Sequence, residues 1–184
     1  MAAIMASSNK VSDLRCINRV QARRSQRRSL PFHHRKWVVC GIVGTTMPSA
    51  SKIVIDTNVL VSALRSKHGW SFALLSSIGT GLFDHVVTVP LVMEYEDVLL
   101  RPGMVPLSAA AVHAVVDYLC ATGTQQEIHF LWRPLLPDAK DDLVLEAAAN
   151  GSCAYVVTHN VRDFIGAQKL GIAVTTPADF MGKF

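Results

Sequence analysis

From residue 51 onward, two rhythms of apolar and polar positions take turns along the chain. Short, mostly apolar runs at residues 52–55, 84–89, 154–158 and 172–175 are rich in β-branched residues and of strand length. Between them, apolar residues recur every three or four positions, the spacing of one helix face. That spacing predicts helices over residues 58–66 and 70–79, from Pro90 to about Arg101, from Ser108 to about Cys120, over 139–150, and again after residue 158. The punctuation agrees. Thr57 or Asn58, Ser108 and Asp138 can cap, Pro90 suits a first helical turn, and Gly151 is a favoured stop. Strands alternating with helices indicate an α/β domain with a mostly parallel sheet. Ligands of such sheets sit beyond the carboxyl ends of the strands. Asp56 stands at one such end, and Asn160 and Asp163 follow another.

Residues 1–46 follow neither rhythm. The first 50 residues hold nine Lys and Arg against one acid, Asp13, a net of +8; residues 51–184 hold nine against thirteen, a net of −4. The overall charge of +4 therefore describes an acidic domain with a basic extension. Residues 1–46 are read as a disordered extension, with a nucleic-acid-binding arm or an organelle-targeting segment as the alternatives. No stretch approaches the ~18 apolar residues of a membrane span. Cys16, Cys40, Cys120 and Cys153 form no CxxC pair, so neither a zinc site nor a disulfide scaffold is expected, and a reducing cytoplasm fits.

The acids carry the chemistry. In the helix after Pro90, Leu91, Val92, Tyr95, Val98 and Leu99 form one apolar stripe, with Glu94 and Glu96 on its opposite borders and Asp97 pointing away. Over 139–150, Val144, Leu145 and Ala148 define the inward stripe. Asp141 projects onto that stripe, Asp142 well off it and Glu146 opposite. Helix-start chemistry accounts for each acid taken singly: Asp138 as a cap, Asp141 closing a capping box, Asp163 doing the same after Asn160. It does not require Asp138, Asp141 and Asp142 together. Should Asp56, Glu94, Asp141 and Asp163 meet at one edge of the sheet, their repulsion would raise their proton affinities. A hard divalent cation would relieve it, because Mg²⁺ takes carboxylate oxygens and waters and leaves room for phosphate. Competing chemistries find less support. A phosphotransfer receiver needs a lysine ending a late strand, the Asp56-Thr57-Asn58 run lacks the DxD of aspartate-nucleophile phosphatases, and neither a catalytic triad nor a Gly-rich phosphate loop is present.

Four motifs in this order resemble the PIN domain: residues 55–62 (IDTNVLVS), 93–102 (MEYEDVLLRP), 138–142 (DAKDD) and 155–164 (YVVTHNVRDF). Residues 176–180 (TPADF) are similar to the ending of the bacterial toxin-like subgroup found in VapBC-type toxin–antitoxin pairs. The resemblance covers about residues 51–182. It implies a three-layer α/β/α sandwich with a mostly parallel sheet of about five strands, and a cytoplasmic Mg²⁺- or Mn²⁺-dependent endoribonuclease. Its catalytic and metal-binding acids match Asp56, Glu94 (with Glu96 a rival) and Asp141, with Asp142 alongside. At the fourth acid the chain has Asn160, and Asp163 comes three residues later. Thr57, Asn58 and Thr158 would support the site, with Asn58, Asn160 and Arg65 toward the RNA substrate. Lys67, His68 and Arg101 could add a basic rim, and Trp70 could stack on a base. The resemblance also implies an antitoxin protein partner and a homodimer. The uncharged Asn160 keeps a second reading open, a non-catalytic PIN module that binds RNA or a protein.

Overall fold

The computed structural model describes residues 51–131 and 133–184. The expected extension over residues 1–46 lies outside them. Strand β1 (Ser51–Ile55) leads into helices α1 (Thr57–Arg65) and α2 (Trp70–Ser76), and β2 (Phe83–Val87) into α3 (Val89–Leu99) and α4 (Ala109–Thr122). The two-residue β3 (Thr124–Gln125) precedes α5 (Ala139–Asn150). After β4 (Tyr155–Val157) come two 3-10 turns, Val161–Phe164 and Ala167–Leu170, then β5 (Ala173–Thr175) and α6 (Pro177–Met181). All strands are parallel, in the order β3-β2-β1-β4-β5. The α/β sandwich expected from the sequence is what forms.

The central position of β1 explains its apolar run. Ile53, Val54 and Ile55 are all buried, because a strand with neighbours on both edges is also covered on both faces. The register pairs Ile53 with His85 and with Tyr155, so these three share a face. Helices α4 and α6 cover it: the His85 Nε2 lies 3.0 Å from the Leu119 carbonyl oxygen, and the Phe180 ring meets those of Phe83 and Tyr155 edge-on at 5.5 Å. Val54, Val86 and Val156 point the other way, toward α5. Gly151 ends that helix so close to the sheet that a Cβ there would lie 2.9 Å from Val86 Cγ1. Right-handed crossovers produce this division, since the chain steps outward from β1 to β3 and then returns to β4.

Three features differ from the sequence-based expectation. The helix expected after β4 is replaced by the two 3-10 turns. Gly166 and Gly171, both at positive φ (131° and 73°), interrupt any longer helix in this segment. Strand β3 was not anticipated, because two exposed polar residues carry no apolar rhythm.

A third difference concerns α5. Asp142 and Glu146, expected off the inward stripe, are 2% and 3% exposed. With Asn150 they form a polar stripe at spacing four, and His129, Phe130, Arg133, Leu135 and Leu136 are strapped along it. Asp142 Oδ1 accepts from the Leu135 and Leu136 amides at 3.3 and 2.9 Å. Glu146 holds Arg133 through two bonds, of 2.9 and 2.8 Å. Asn150 Oδ1 accepts from the His129 and Phe130 amides, and its Nδ2 donates to the Phe130 carbonyl. An irregular segment with no ladder of its own thus has its backbone groups satisfied by one helix face.

Candidate active site

The strand order reverses between β1 and β4, and the crevice at their carboxyl ends is where such sheets bind ligands. Asp56 follows β1 there, at the N-cap position of α1, and is buried. Its side chain makes no capping hydrogen bond, so helix capping does not account for it. Instead Oδ2 accepts from Thr158 Oγ1 at 2.6 Å and from Asn58 Nδ2 at 2.7 Å. Asn58 Nδ2 also reaches Thr158 Oγ1, at 3.1 Å, while its Oδ1 accepts from the His159 amide. Thr158 Oγ1 further accepts from the Asn160 amide at 2.9 Å. Beneath this network the fully buried Tyr95 donates its hydroxyl proton to the Ile55 carbonyl, tying α3 to the last residue of β1. Burial nevertheless raises the Asp56 pKa, against the lowering pull of Thr158, the Asn58 and Thr57 amides and His159. The fold holds this carboxylate still without satisfying its charge.

Glu94 on α3 and Asp141 on α5 both feel the charge of Asp56. The pKa of Glu94 is raised, mainly by burial, with the charges of Asp56, Asp141 and Asp138 adding to it and Lys140 opposing. Its Oε2 is buried without a hydrogen-bond partner. Asp141 is pushed up to about 6, first by burial, then by Asp56, Asp138, Asp163 and Asp142. The capping box expected of Asp141 does not account for it either: α5 is capped by Asp138, which accepts from the Lys140 amide at 2.9 Å. Thr57 Oγ1, next to Asp56, is a second buried oxygen without a partner.

The remaining candidates separate from this group. Glu96 turns to the other border of α3 and meets His113 Nδ1 at 2.8 Å. Asp142 Oδ1 belongs to the strap on α5. Asn58 has its amide nitrogen and oxygen both engaged in the network, which leaves it supporting Asp56 rather than free for substrate. Asn160 and Asp163 are exposed beyond β4, Asp163 close enough to add to the field at Asp141. Arg65 is exposed at the far end of α1, roughly 13 Å along the helix from Asp56. Arg101 is paired with Asp97. Two residues escaped the sequence reading. Tyr95 was placed in an apolar stripe, where its hydroxyl gave no signal; Lys140 lay in plain view inside the DAKDD run as the one cation among acids.

The donor set fits a hard divalent cation. Buried, partnerless oxygen and carboxylates that raise one another's proton affinity are what such an ion satisfies. Among the described residues no three His, Cys, Asp or Glu side chains close on a single point. Mg²⁺ does not demand that, because it keeps several waters and takes one or two carboxylates directly. The more telling property is that the Asp56 charge raises the proton affinity of both Glu94 and Asp141, which burial already raises.

A PIN-domain family model matches residues 52–162. Among solved structures, the fold is similar to a chain in the crystal structure of VapBC2 from Rickettsia felis bound to a DNA fragment from their promoter. The TM-score is 0.50 at 12% identity, covering 68% of this chain and 98% of that one. No curated protein sequence matches. No described helix is long and apolar enough to cross a membrane.

Proposed function

Because the chain belongs to the PIN-domain family, whose members are generally nucleases that use divalent metals, we propose that it is a Mg²⁺- or Mn²⁺-dependent endoribonuclease, the toxin component of a toxin–antitoxin pair. The observation that carries this reading is the buried, partnerless Glu94 Oε2 beside Asp56 and Asp141, whose proton affinities are raised. Asp56, Glu94 and Asp141 would hold the cation, with Asp163 at the outer rim; Asp142 is left out of the set because its Oδ1 already serves the strap. When bound, the ion would polarise a phosphodiester and lower the pKa of a water. The chain's own part is geometric. Thr158 and Asn58 fix the orientation of the Asp56 carboxylate, Tyr95 fixes the strand beneath it, and Lys140 offers a positive charge to a phosphate oxygen on the α5 side. Asp56 and Thr158 directly follow β1 and β4, and Asn58 and Tyr95 come from α1 and α3, so the site exists only in the folded chain.

The toxin assignment is supported by likeness of fold to the VapBC2 structure, a complex bound to a fragment of promoter DNA. It makes an antitoxin the expected partner and single-stranded RNA the expected substrate, in the cytoplasm; the expected homodimer is open to light scattering. The direct test is a fluorophore–quencher RNA incubated with Mn²⁺. Asp56→Asn and Asp141→Asn should each slow cleavage by roughly a hundredfold or more, about 2.7 kcal/mol or more in barrier. Cleavage at wild-type rate in both variants would refute the assignment. A second reading, a non-catalytic module binding RNA or protein, is favoured by one observation: the exposed residue nearest the expected fourth acid is the uncharged Asn160. Calorimetry separates the two, since absence of Mn²⁺ binding at millimolar metal supports the module.

A further inference from the structure

One residue past Thr158, His159 enters the lining of a shallow cavity of about 180 Å³, whose residues the cleavage chemistry leaves unused, among them Ser62, His68, Trp70, Ser71 and Pro177. It is well below the roughly 300 Å³ at which pockets for drug-sized ligands begin, so it suits a single flat group. Three features give it a ligand-binding character. Trp70 is 55% exposed at the start of α2 and lines the cavity, so its ring face is available for stacking. Ser71, itself buried, places its hydroxyl 2.9 Å from His159 Nε2 and so sets the orientation of that ring. Nδ1 of His159 then has no hydrogen-bond partner among the described residues and is open to a base edge as donor or acceptor. Finally, His159 directly follows Thr158, the residue that orients Asp56, and its amide donates to Asn58. The cavity and the carboxylates therefore share one piece of backbone.

Charge agrees with the shape. The compact part of the chain is acidic overall, yet His68 lines this cavity and Arg65 and Lys67 precede it within three residues, all exposed. Cationic residues, an aromatic plate and a fixed polar edge are the parts by which single-stranded nucleic acid is held: backbone charge, stacking and base-edge contact.

We propose that this cavity is a nucleobase subsite, in which Trp70 stacks on one base of single-stranded RNA and the Ser71-oriented His159 contacts its edge, seating the neighbouring phosphodiester at Asp56. The substrate class rests on the RNA-cleaving reading above. The subsite adds a source of base preference to a site that otherwise contacts only phosphate.

The test uses full-length Asp141→Asn protein in Mg²⁺, with 5′-fluorescein heptamers of rA, rC, rG, rU and dT read by anisotropy. Trp70→Ala should weaken binding of the preferred heptamer about 5- to 100-fold. Trp70→Phe should retain most of the affinity and Trp70→Leu should behave like Ala, since stacking needs a ring and packing does not. Ser71→Ala should level the differences among the heptamers. As Trp70 is exposed, its variants should melt within a few degrees of the parent. Oligonucleotide affinity unchanged in Trp70→Ala, or fully restored by Trp70→Leu, would overturn the subsite and leave the cavity to a protein partner. Failure of the two readings looks different. Trp70-dependent binding by a chain whose Trp70-intact, Asp141-intact form never cleaves RNA in Mn²⁺ keeps the subsite and removes the nuclease; cleavage with unchanged rate and base preference in Trp70→Ala does the reverse.

Discussion

Asp141 and Asp142 are neighbours on one helix, carry the same carboxylate, and live in opposite circumstances. Asp142 is almost wholly buried, yet two amide N–H groups of the strap donate to it. Asp141 is less buried, yet faces Asp56, Asp138 and Asp163 and is held at about 6. The same contrast separates Glu146, buried in a two-bond pair with Arg133, from Glu94, whose Oε2 has no partner. Burial alone would have chosen Asp142 and Glu146, the acids that the chain itself supplies with donors. What distinguishes the two groups is whether donors are supplied. The strap acids are completed by the chain itself and hold structure, whereas the sheet-edge acids are left incomplete and can be completed by a cation.

That contrast can be broken most severely at Asp141 and Asp142 themselves. Asp141→Asn should abolish measurable Mn²⁺-dependent cleavage while leaving the fold intact, and Asp142→Asn should stay within a few-fold of wild-type cleavage because Asn Oδ1 still accepts. The contrast fails if both behave alike in the RNA assay. In stability the ranking inverts. Asp142→Ala strands two buried amide donors and should cost about 2–3 kcal/mol, seen as a denaturant midpoint shift at unchanged m-value. Arg133→Ala uncouples Glu146; the arginine is 43% exposed, so water replaces part of the pair and a smaller loss, about 1–2 kcal/mol, is expected in the same experiment.

The smallest effect sharpens the electrostatic side. A carboxyl group whose folded pKa is raised binds more protons in the native than in the unfolded state between the two values. Stability from Asp141 therefore falls as pH rises from the ordinary 3.8 through about 6 and is lowest above that. Asp56 and Glu94 shift in the same direction. Without divalent metal the domain should thus melt a few degrees higher near pH 5.5 than at pH 7.5, as far as these three groups decide, and Asp141→Asn should flatten that slope. Saturating Mn²⁺ at pH 7.5 should raise the melting temperature of the wild type and not of the variant. A wild-type slope equal to that of Asp141→Asn would show that the carboxylates do not burden the fold.

The parts of the chain with a repeating rhythm were legible without coordinates. The β-branched run before Asp56, the caps Ser108 and Asp138, the stop at Gly151 and the stripe of Val144, Leu145 and Ala148 depend on local sterics and on a hydrophobic period, both written in consecutive residues. The order of motifs around Asp56, Glu94, Asp141 and residues 155–164 was also written in the chain, and its resemblance to the PIN domain agrees with the family match over residues 52–162. Tertiary structure alone decided what each polar group meets. Asp142 and Glu146 lie off the apolar stripe and read as solvent-facing until a strap with no period of its own covers them. Tyr95 reads as core until its hydroxyl reaches Ile55, forty residues away, and Ser71 and His159 meet across 88 positions. A hydrophobic surface needs only some cover and so announces itself in the chain, but a hydrogen bond or a shared charge needs a particular partner at a particular distance, and only the folded sheet supplies that.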